Sequence, residues 1–294
     1  MSSTSTSSKV VALDAPIGRE VTGPTSMGSD PRRFWHLTWT LATTEFKLRF
    51  FGSLLGYLWQ LMRPLLLFAI IYTVFVGIFK SGGNLPLFGV ALLLGIVIFQ
   101  FFADATSMSI KSLVDGENLI RKIDFPRAAI PVSCVLQALF NFTLNLIPVF
   151  IFLIAAGGEI RWGWLELPVI AAILVIFVTG LSLLLSALFV SYRDVDPIWE
   201  VIAQALFYGT PILYSISLVI DEVGIDVARL MLANPLAAAI QQLRHAIIDP
   251  AYESPSGIFA TAAGDLIPIG IAVLTFVIGA LYFKRVAPLI AERL

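Results

Sequence analysis

The sequence predicts an all-α integral membrane protein with six transmembrane helices. An amphipathic helix at the membrane interface precedes the first of them, and short outer helices lie between the fifth and the sixth. Hydrophobic residues make up 58% of the 294 residues and charged residues only 13%, whereas a typical soluble domain is about 25% charged. Several apolar runs also approach the roughly 20 residues that an α-helix needs to cross a bilayer.

Residues 1–30 are rich in Ser, Thr, Gly and Pro and hold no apolar core. Such a segment cannot bury enough apolar surface to offset the entropy of folding, so we expect a disordered cytoplasmic tail. It has no apolar run after its few charges and therefore does not resemble a secretory signal peptide. Residues 31–294 form the predicted membrane domain.

The stretch at residues 33–51, RFWHLTWTLATTEFKLRFF, predicts a helix that lies in the membrane interface. Its polar side chains recur every three or four residues on one stripe, while leucines and aromatic residues occupy another face. A helix that combines such faces with aromatic and cationic side chains is typical of the lipid headgroup region.

Six apolar runs predict the transmembrane helices, at about residues 58–79, 87–108, 129–155, 167–190, 198–220 and 266–283. An even number of spans places both termini on the same side. Most of the 19 lysines and arginines then fall on that side, and the exceptions are Lys80, Arg161, Arg229 and Arg244. Because basic residues concentrate in cytoplasmic loops, we expect both termini to be cytoplasmic.

The outer segment before the sixth run holds a further short helix. Asn234 is a typical N-cap, and Pro235 suits the first helical position. Four apolar side chains then share one face: Leu236, Ile240, Leu243 and Ile247. This helix is too short to span, so we expect it to lie in the outer interface or dip into it, either as a gate or as a cap on the bundle.

Polar side chains within the apolar runs are costly and usually face a protein interior or a water-filled path. Two ridges have four-residue spacing: Ser133, Gln137, Asn141 and Asn145 in the third run, and Glu200, Gln204 and Tyr208 in the fifth. Either these groups bond between helices, at about 0.6–2 kcal/mol each, or they line a path suited to a hydroxyl-rich substrate. The fourth run carries small residues typical of close helix packing: Gly180, Ser182 and Ser186.

A short polar island, NLIRKIDFPRAAIP at residues 118–131, separates the second and third runs. It brings Arg121, Lys122 and Arg127 together with apolar side chains. One interpretation is a basic cytoplasmic loop that only sets the topology. The other is a short amphipathic helix that is presented to a soluble partner.

Several kinds of chemistry lack a sequence signal. The chain contains no G-x-x-x-x-G-K-[ST] phosphate-binding loop, no H-E-x-x-H motif and no G-x-S-x-G motif. We therefore predict no catalytic residues, no metal site and no cofactor bound by this chain. The net charge of −1 implies no nucleic-acid partner, and the single cysteine, Cys134, cannot form an intrachain disulfide.

Four stretches in order resemble the permease subunits of ABC-2 type polysaccharide exporters, the O-antigen, teichoic-acid and galactan group. They are FKLRFFGSLLGYLWQLMRPLL (46–66), NLIRKIDFPRAAIP (118–131), YRDVDPIW with GTPILYS (192–199 and 209–215), and NPLAAAIQQLR (234–244). Within that resemblance they correspond to the interface helix with the first span, the cytoplasmic coupling segment, the fifth-span entry and kink, and the outer gate helix.

The resemblance implies a homodimer in the bacterial plasma membrane that exports a lipid-linked polysaccharide. Two copies of a separate cytoplasmic ATPase subunit would bind ATP and Mg. On this reading the ATPase-coupling residues are Leu119, Ile120, Arg121, Lys122, Phe125, Arg193 and Asp194. The candidates for binding the substrate headgroup are Lys47, Arg49 and Arg63. The translocation-path candidates are Tyr57, Trp59, Gln137, Asn141, Asn145, Gln204, Tyr208 and Tyr214.

Alternatives remain for several of these assignments. Lys47 and Arg49 could extend to lipid headgroups, and Trp59 could be an ordinary interface residue. An exporter of a drug or small lipid would share the fold. A membrane enzyme acting on polyprenyl-linked sugars would need a carboxylate cluster, for which the nearest candidates are Asp104, Asp115, Glu117 and Asp124. An ion-driven transporter would usually show inverted repeats, and none is evident.

Overall fold

The computed structural model describes residues 30–50, 54–78, 85–122, 126–260 and 262–290. Within those ranges the regular secondary structure is helical. The α-helices are α1 (Pro31–Phe50), α2 (Leu54–Tyr72), α3 (Phe88–Asp115), α4 (Glu117–Lys122), α5 (Ala129–Ala155), α6 (Glu166–Ser191), α7 (Val195–Gly209), α8 (Ile216–Glu222), α9 (Ile225–Leu232), α10 (Pro235–Leu243), α11 (Pro255–Phe259) and α12 (Leu266–Val286). The predicted tail, apart from Asp30, lies outside the described residues.

Five described helices are long and apolar enough to cross a membrane: Leu58–Ile78, Phe88–Asp115, Ala129–Ala155, Trp162–Ser191 and Leu266–Leu289. They coincide with five of the six predicted runs. The predicted fifth span, 198–220, is not one helix, because α7 ends at Gly209 and α8 begins at Ile216. Pro211 explains this break. Its ring disfavours helical dihedral angles at the preceding Thr210, which has φ −100° and ψ 140°.

Helix α3 forms the centre of the subunit. It packs mainly against α5 and α6, and also against α7 and α10. The consecutive Leu92, Leu93 and Leu94 are all 0% exposed, so this helix is buried around its whole circumference over that stretch. A helix that is apolar on every side is suited to the interior of a helical bundle.

Helices α6 and α12 approach each other so closely that their backbones touch. A Cβ atom on Gly279 would lie 1.9 Å from the Gly180 carbonyl oxygen, and one on Gly180 would lie 2.3 Å from the Phe276 Cα. Ser182 and Ser186 in α6 are fully buried. The close packing predicted from the small residues of the fourth run is therefore confirmed.

Helix α1 packs against α5, and its aromatic side chains hold this contact. Trp39 and Phe46 both meet Phe140 edge to face, with ring centroids 5.4 and 5.6 Å apart. Trp35 and Leu48 of α1 are more than half exposed. The predicted helix at residues 33–51 is thus present, and its exposed apolar side chains suit a lipid environment.

A second apolar cluster joins the helices at one end of the bundle, the end that the sequence analysis predicts to be cytoplasmic. We call it the inner cluster, and its buried members include Leu113, Ile120, Ile130, Val190, Phe283 and Ile290. These residues belong to α3, α4, α5 and α6 and to the end of α12 and the turn that follows it. Phe34 and Leu37 of α1 pack against the cluster. Six helices, α1, α3, α4, α5, α6 and α12, thus meet in the inner cluster at one end of the bundle.

Helix α10 is buried on every side. The Asn234 side chain accepts the Leu236 N–H at 3.0 Å, so the predicted N-cap is confirmed. Ala237, Ala238 and Ala239 are buried together with the predicted apolar stripe. The helix packs against α3, α6, α9 and α12, and whether it acts as a gate or as a cap on the bundle stays a prediction. A π-helical turn, Arg244–Ile248, continues it.

Candidate functional site

Helix α7 exposes a polar ridge within an otherwise apolar surface. Glu200, Gln204 and Tyr208, which we call the α7 ridge, follow one another at four-residue spacing and are all exposed. Ile198 and Val201 beside them are exposed as well. The opposite face is packed into the bundle through the buried Trp199. The ridge is thus an open strip of carboxylate, amide and phenol groups.

Three side-chain contacts fix α7 to the central helix α3. At the inner end, Lys111 Nζ lies 2.7 Å from Asp196 Oδ2. One turn further on, the buried Trp199 Nε1 donates to Thr106 Oγ1 at 3.0 Å. Towards the outer end, Phe207 meets Phe99 edge to face at 5.0 Å. Sequence spacing does not reveal these pairs, because their members are far apart in the chain, as with the 93 residues between Thr106 and Trp199.

The α7 ridge ends where the chain becomes buried again. Thr210 and Ile212 are both 0% exposed. The hydroxyl of Tyr214, a path candidate, donates to the Tyr208 carbonyl at 3.0 Å and so bridges the break between α7 and α8. The Tyr214 side chain is half-buried.

The predicted ridge on α5 lies in a different environment. Gln137, Asn141 and Asn145 are only 5%, 2% and 1% exposed, because α5 packs extensively against α3. Among the described residues, neither side-chain polar atom of Asn141 has a hydrogen-bond partner. The two ridges were predicted as equivalent from their equal spacing, yet only the α7 ridge is open on the single subunit.

A polar cavity of about 380 Å³ lies between α1, α3, α4 and α5. Glu45, Lys111 and Asp115 supply charged groups, Gln137 lies in its wall, and Leu119 connects it to α4. Gln137 is therefore reached from the inner end of the bundle, whereas Asn141 and Asn145 do not line this cavity. A larger groove of about 500 Å³, between α2, α3 and α5, is lined almost entirely by apolar side chains.

Among the predicted coupling residues whose side chains the structure describes, those of α4 point into the bundle and those before α7 are exposed. Ile120 of α4 is 7% exposed and belongs to the inner cluster, and Leu119 packs beside it. Arg121 and Lys122 lie in α4, but their side chains and all of Phe125 fall outside the description. Before α7, Arg193 and Asp194 are exposed, with the Arg193 guanidinium 5.0 Å above the Phe189 ring centre.

The remaining candidates lie on α1 and α2. Lys47 on α1 and Arg63 on α2 are exposed, and Trp59 on α2 is 64% exposed. Arg49 and Tyr57 lie in these helices, with side chains outside the description. Among the α2 side chains that the structure describes, only Pro64 is buried. This helix therefore presents most of its surface to lipid or to another protein.

Two arginines that the sequence analysis counted only as loop charges are buried. Arg127 is 5% exposed and donates through Nη1 to the Ala287 carbonyl, which ties the start of α5 to the end of α12. Arg244 is 1% exposed. One signal for Arg244 was present, because it continues the four-residue spacing of the apolar Leu236 and Ile240.

Residues suited to metal binding do not cluster in the described part of the chain. No group of three or more His, Cys, Asp or Glu side chains is placed to hold an ion there. Asp104, a member of the acidic set considered for enzyme chemistry, lies 3.3 Å from the Gln100 amide nitrogen, which donates to it. The described acidic residues therefore form no metal-binding carboxylate cluster.

Comparison with known proteins places these features in a family. The model of the ABC-2 type transporter family matches residues 36–248, from α1 to the turn after α10. Two proteins of Klebsiella pneumoniae named O-antigen export system permease protein RfbA are 32% and 30% identical over 206 residues, covering 69% of this chain and 77% of each relative. A protein of the same name from Myxococcus xanthus is 30% identical over 200 residues, covering 68% of this chain and 75% of the relative.

Proposed function

The chain belongs to the ABC-2 type transporter family, and from this premise we propose that it is the membrane subunit of an ATP-driven exporter of a lipid-linked polysaccharide. The observation that carries the proposal is the α7 ridge. Its amide, carboxylate and phenol groups form an exposed polar strip on a helix whose other exposed side chains are apolar. Relatives named for O-antigen export make a glycan the substrate class that fits best.

The translocation path would run between two copies of the subunit. One α7 ridge supplies a single wall, and a second copy related by two-fold symmetry would supply the facing wall. Trp59 and Tyr57 on the exposed α2 would add aromatic surface, on which sugar rings can stack. Gln204 and Tyr208 would follow along α7, and Tyr214 would lie in the break beyond it. Asn141 and Asn145 would join this path only in a conformation that separates α5 from its neighbours.

The substrate headgroup would approach from the inner end. Lys47 and Arg63 are exposed cations on α1 and α2, and with Arg49 they would attract the pyrophosphate of a lipid-linked substrate. The polar cavity between α1 and α3 would take the first sugar, with Gln137 in its wall. The plasma membrane of a bacterium, with both termini in the cytoplasm, is the setting that this direction requires.

Energy would come from two cytoplasmic ATPase subunits that hold ATP and Mg. Helix α4 would dock into the ATPase through Arg121, Lys122 and Phe125, with Arg193 and Asp194 as a second contact. Ile120 would act from the other side of α4, because it is buried in the inner cluster. A push on α4 would then reach α3, α5, α6 and α12 through packed side chains, and Lys111–Asp196 would pass it to α7.

A pull-down tests the partner. The tagged chain, solubilised in mild detergent from its native membrane, should bring down an ATPase in stoichiometric amount. Arg121→Glu should abolish this binding, because a reversed charge on the docking face repels the partner. Arg285→Glu serves as the matched control. Arg285 is an exposed basic residue in the last turn of α12, at the same end of the bundle as α4. Equal ATPase recovery with Arg121→Glu and with the control would refute the assigned docking surface.

A further inference from the structure

Arg244 is a buried cation whose hydrogen bonds all go to backbone carbonyls. Its Nη1 donates to Pro211 O at 2.6 Å, its Nη2 to Ile212 O at 2.8 Å and its Nε to Ala91 O at 3.3 Å. Within the described residues no carboxylate forms an ion pair with it. Burial lowers the pKa of Arg244 to about 10, so the guanidinium remains charged at neutral pH.

Two of these carbonyls belong to the break between α7 and α8. In a continuous helix, the carbonyls of Pro211 and Ile212 would accept the N–H groups of residues four positions later. The break removes those donors and leaves the oxygens in a buried segment, where an unpaired polar group is costly. The two Nη groups of the Arg244 guanidinium supply the missing donors from the turn after α10. It therefore stabilises the broken conformation directly.

Gly95 of α3 makes room for this arrangement. A Cβ atom at this position would lie 3.2 Å from Arg244 Nη2 and 3.3 Å from Ile212 Cγ2. The turn after α10, the break after α7 and the outer half of α3 thus meet around one guanidinium. The exposed α7 ridge ends at this point, because Thr210, Ile212 and Leu213 beyond it are buried.

We infer that Arg244 is a positioning residue that latches the break between α7 and α8 in its buried conformation and so closes the outer end of the α7 ridge. The latch itself follows from the contacts. Its consequence for transport rests on the proposed function, in which the ridge lines the path. Release of the two carbonyls would free the break to move away from α3 and α10.

Cysteine labelling measures the latch without reference to transport. The chain has one cysteine, so Cys134→Ser gives a background without reactive thiols. Thr210→Cys then places a thiol in the buried break, and Ala138→Cys places one in the core of α5, where residue 138 is 0% exposed. A charged, membrane-impermeant maleimide is applied to the full complex in native membranes, and the labelling rate at each site is followed.

With Arg244 intact, both sites should react slowly. Arg244→Met should raise the rate at Thr210→Cys by roughly tenfold or more, because the released carbonyls favour opening to water, and should leave Ala138→Cys protected. Arg244→Lys should give a smaller rise, because one ammonium cannot bond all three carbonyls. Arg229→Met is the matched control. Arg229 is a partly exposed outer arginine that also donates to a carbonyl, that of Ile258, and its loss should not change the rate at Thr210→Cys.

An unchanged rate at Thr210→Cys in Arg244→Met would overturn the latch. An equal rise with Arg229→Met would also overturn it, because the effect would then not be specific to Arg244. Labelling of both Thr210→Cys and Ala138→Cys in both Arg244 variants would overturn it as well, because Arg244 would then stabilise the whole fold and not the break. Glycan export by the same cells is scored separately. Loss of export without a change in labelling would count against the latch alone, whereas a labelled break with normal export would count against the break as the outer end of the path.

Discussion

Arg127 and Arg244 illustrate, at the scale of single residues, how a charge enters the interior of a helical bundle. Both are at least 95% buried, and both donate to backbone carbonyls of another segment. A carbonyl at a helix end or break has no intrahelical donor, and each arginine supplies one from another segment. The sequence analysis counted both residues as charges outside the spans and could not place them further, because sequence shows their charge but not the distant carbonyls that they bind.

The Trp199–Thr106 hydrogen bond supports a prediction at the same scale. Thr106→Val leaves a buried indole N–H without an acceptor, and Trp199→Phe removes the donor. We expect each variant to lower the thermal stability of the detergent-solubilised protein. The double variant should lose less than the two single losses added, by about 0.6–1.7 kcal/mol, as for other hydrogen bonds between membrane helices. Strictly additive losses would mean that the bond contributes nothing to the packing of α7 on α3.

At the scale of elements, the pairing of α6 with α12 depends on two glycines. Gly279→Ala would place a methyl group 1.9 Å from the Gly180 carbonyl oxygen, so the helices would have to separate. We expect a large loss of thermal stability and of folded protein in the membrane. Gly270→Ala is the matched control on the same helix, because a Cβ there meets nothing within 4 Å and alanine favours a helix over glycine by about 1 kcal/mol. Similar behaviour of the two variants would contradict the close packing.

The long helices could be predicted from sequence, because apolar length is a local property. The run at 198–220 divides into α7 and α8, within the stretch where the resemblance implies a kink and where Pro211 stops the first helix. Spacing alone treats the ridges of α5 and α7 alike. Spacing shows that Asn141 and Asn145 share a face, and likewise Gln204 and Tyr208. It does not show whether that face meets the subunit's own α3, which depends on contacts between residues far apart in the chain.

At the scale of the whole molecule, the proposed path requires a second subunit, and α2 and α7 expose surfaces that could meet it. Trp59, Ile70, Val201 and Tyr208 are all more than half exposed, and a path with the α7 ridge as one wall requires another wall. We expect two copies of this chain in each complex when the solubilised assembly is weighed by native mass spectrometry. A complex with one copy and a full complement of ATPase would contradict a path formed between two α7 ridges.

Depletion of the chain from its own bacterium is the direct test of the proposed export of a lipid-linked polysaccharide. The chain is depleted in the bacterium that makes it, and the lipid-linked glycan is extracted and quantified together with the glycan at the cell surface. We expect the lipid-linked polymer to accumulate while the surface glycan falls, and re-expression of the chain to reverse both changes. An unchanged lipid-linked pool with intact surface glycan would contradict the account and would direct the search to a drug or small lipid as the exported substrate.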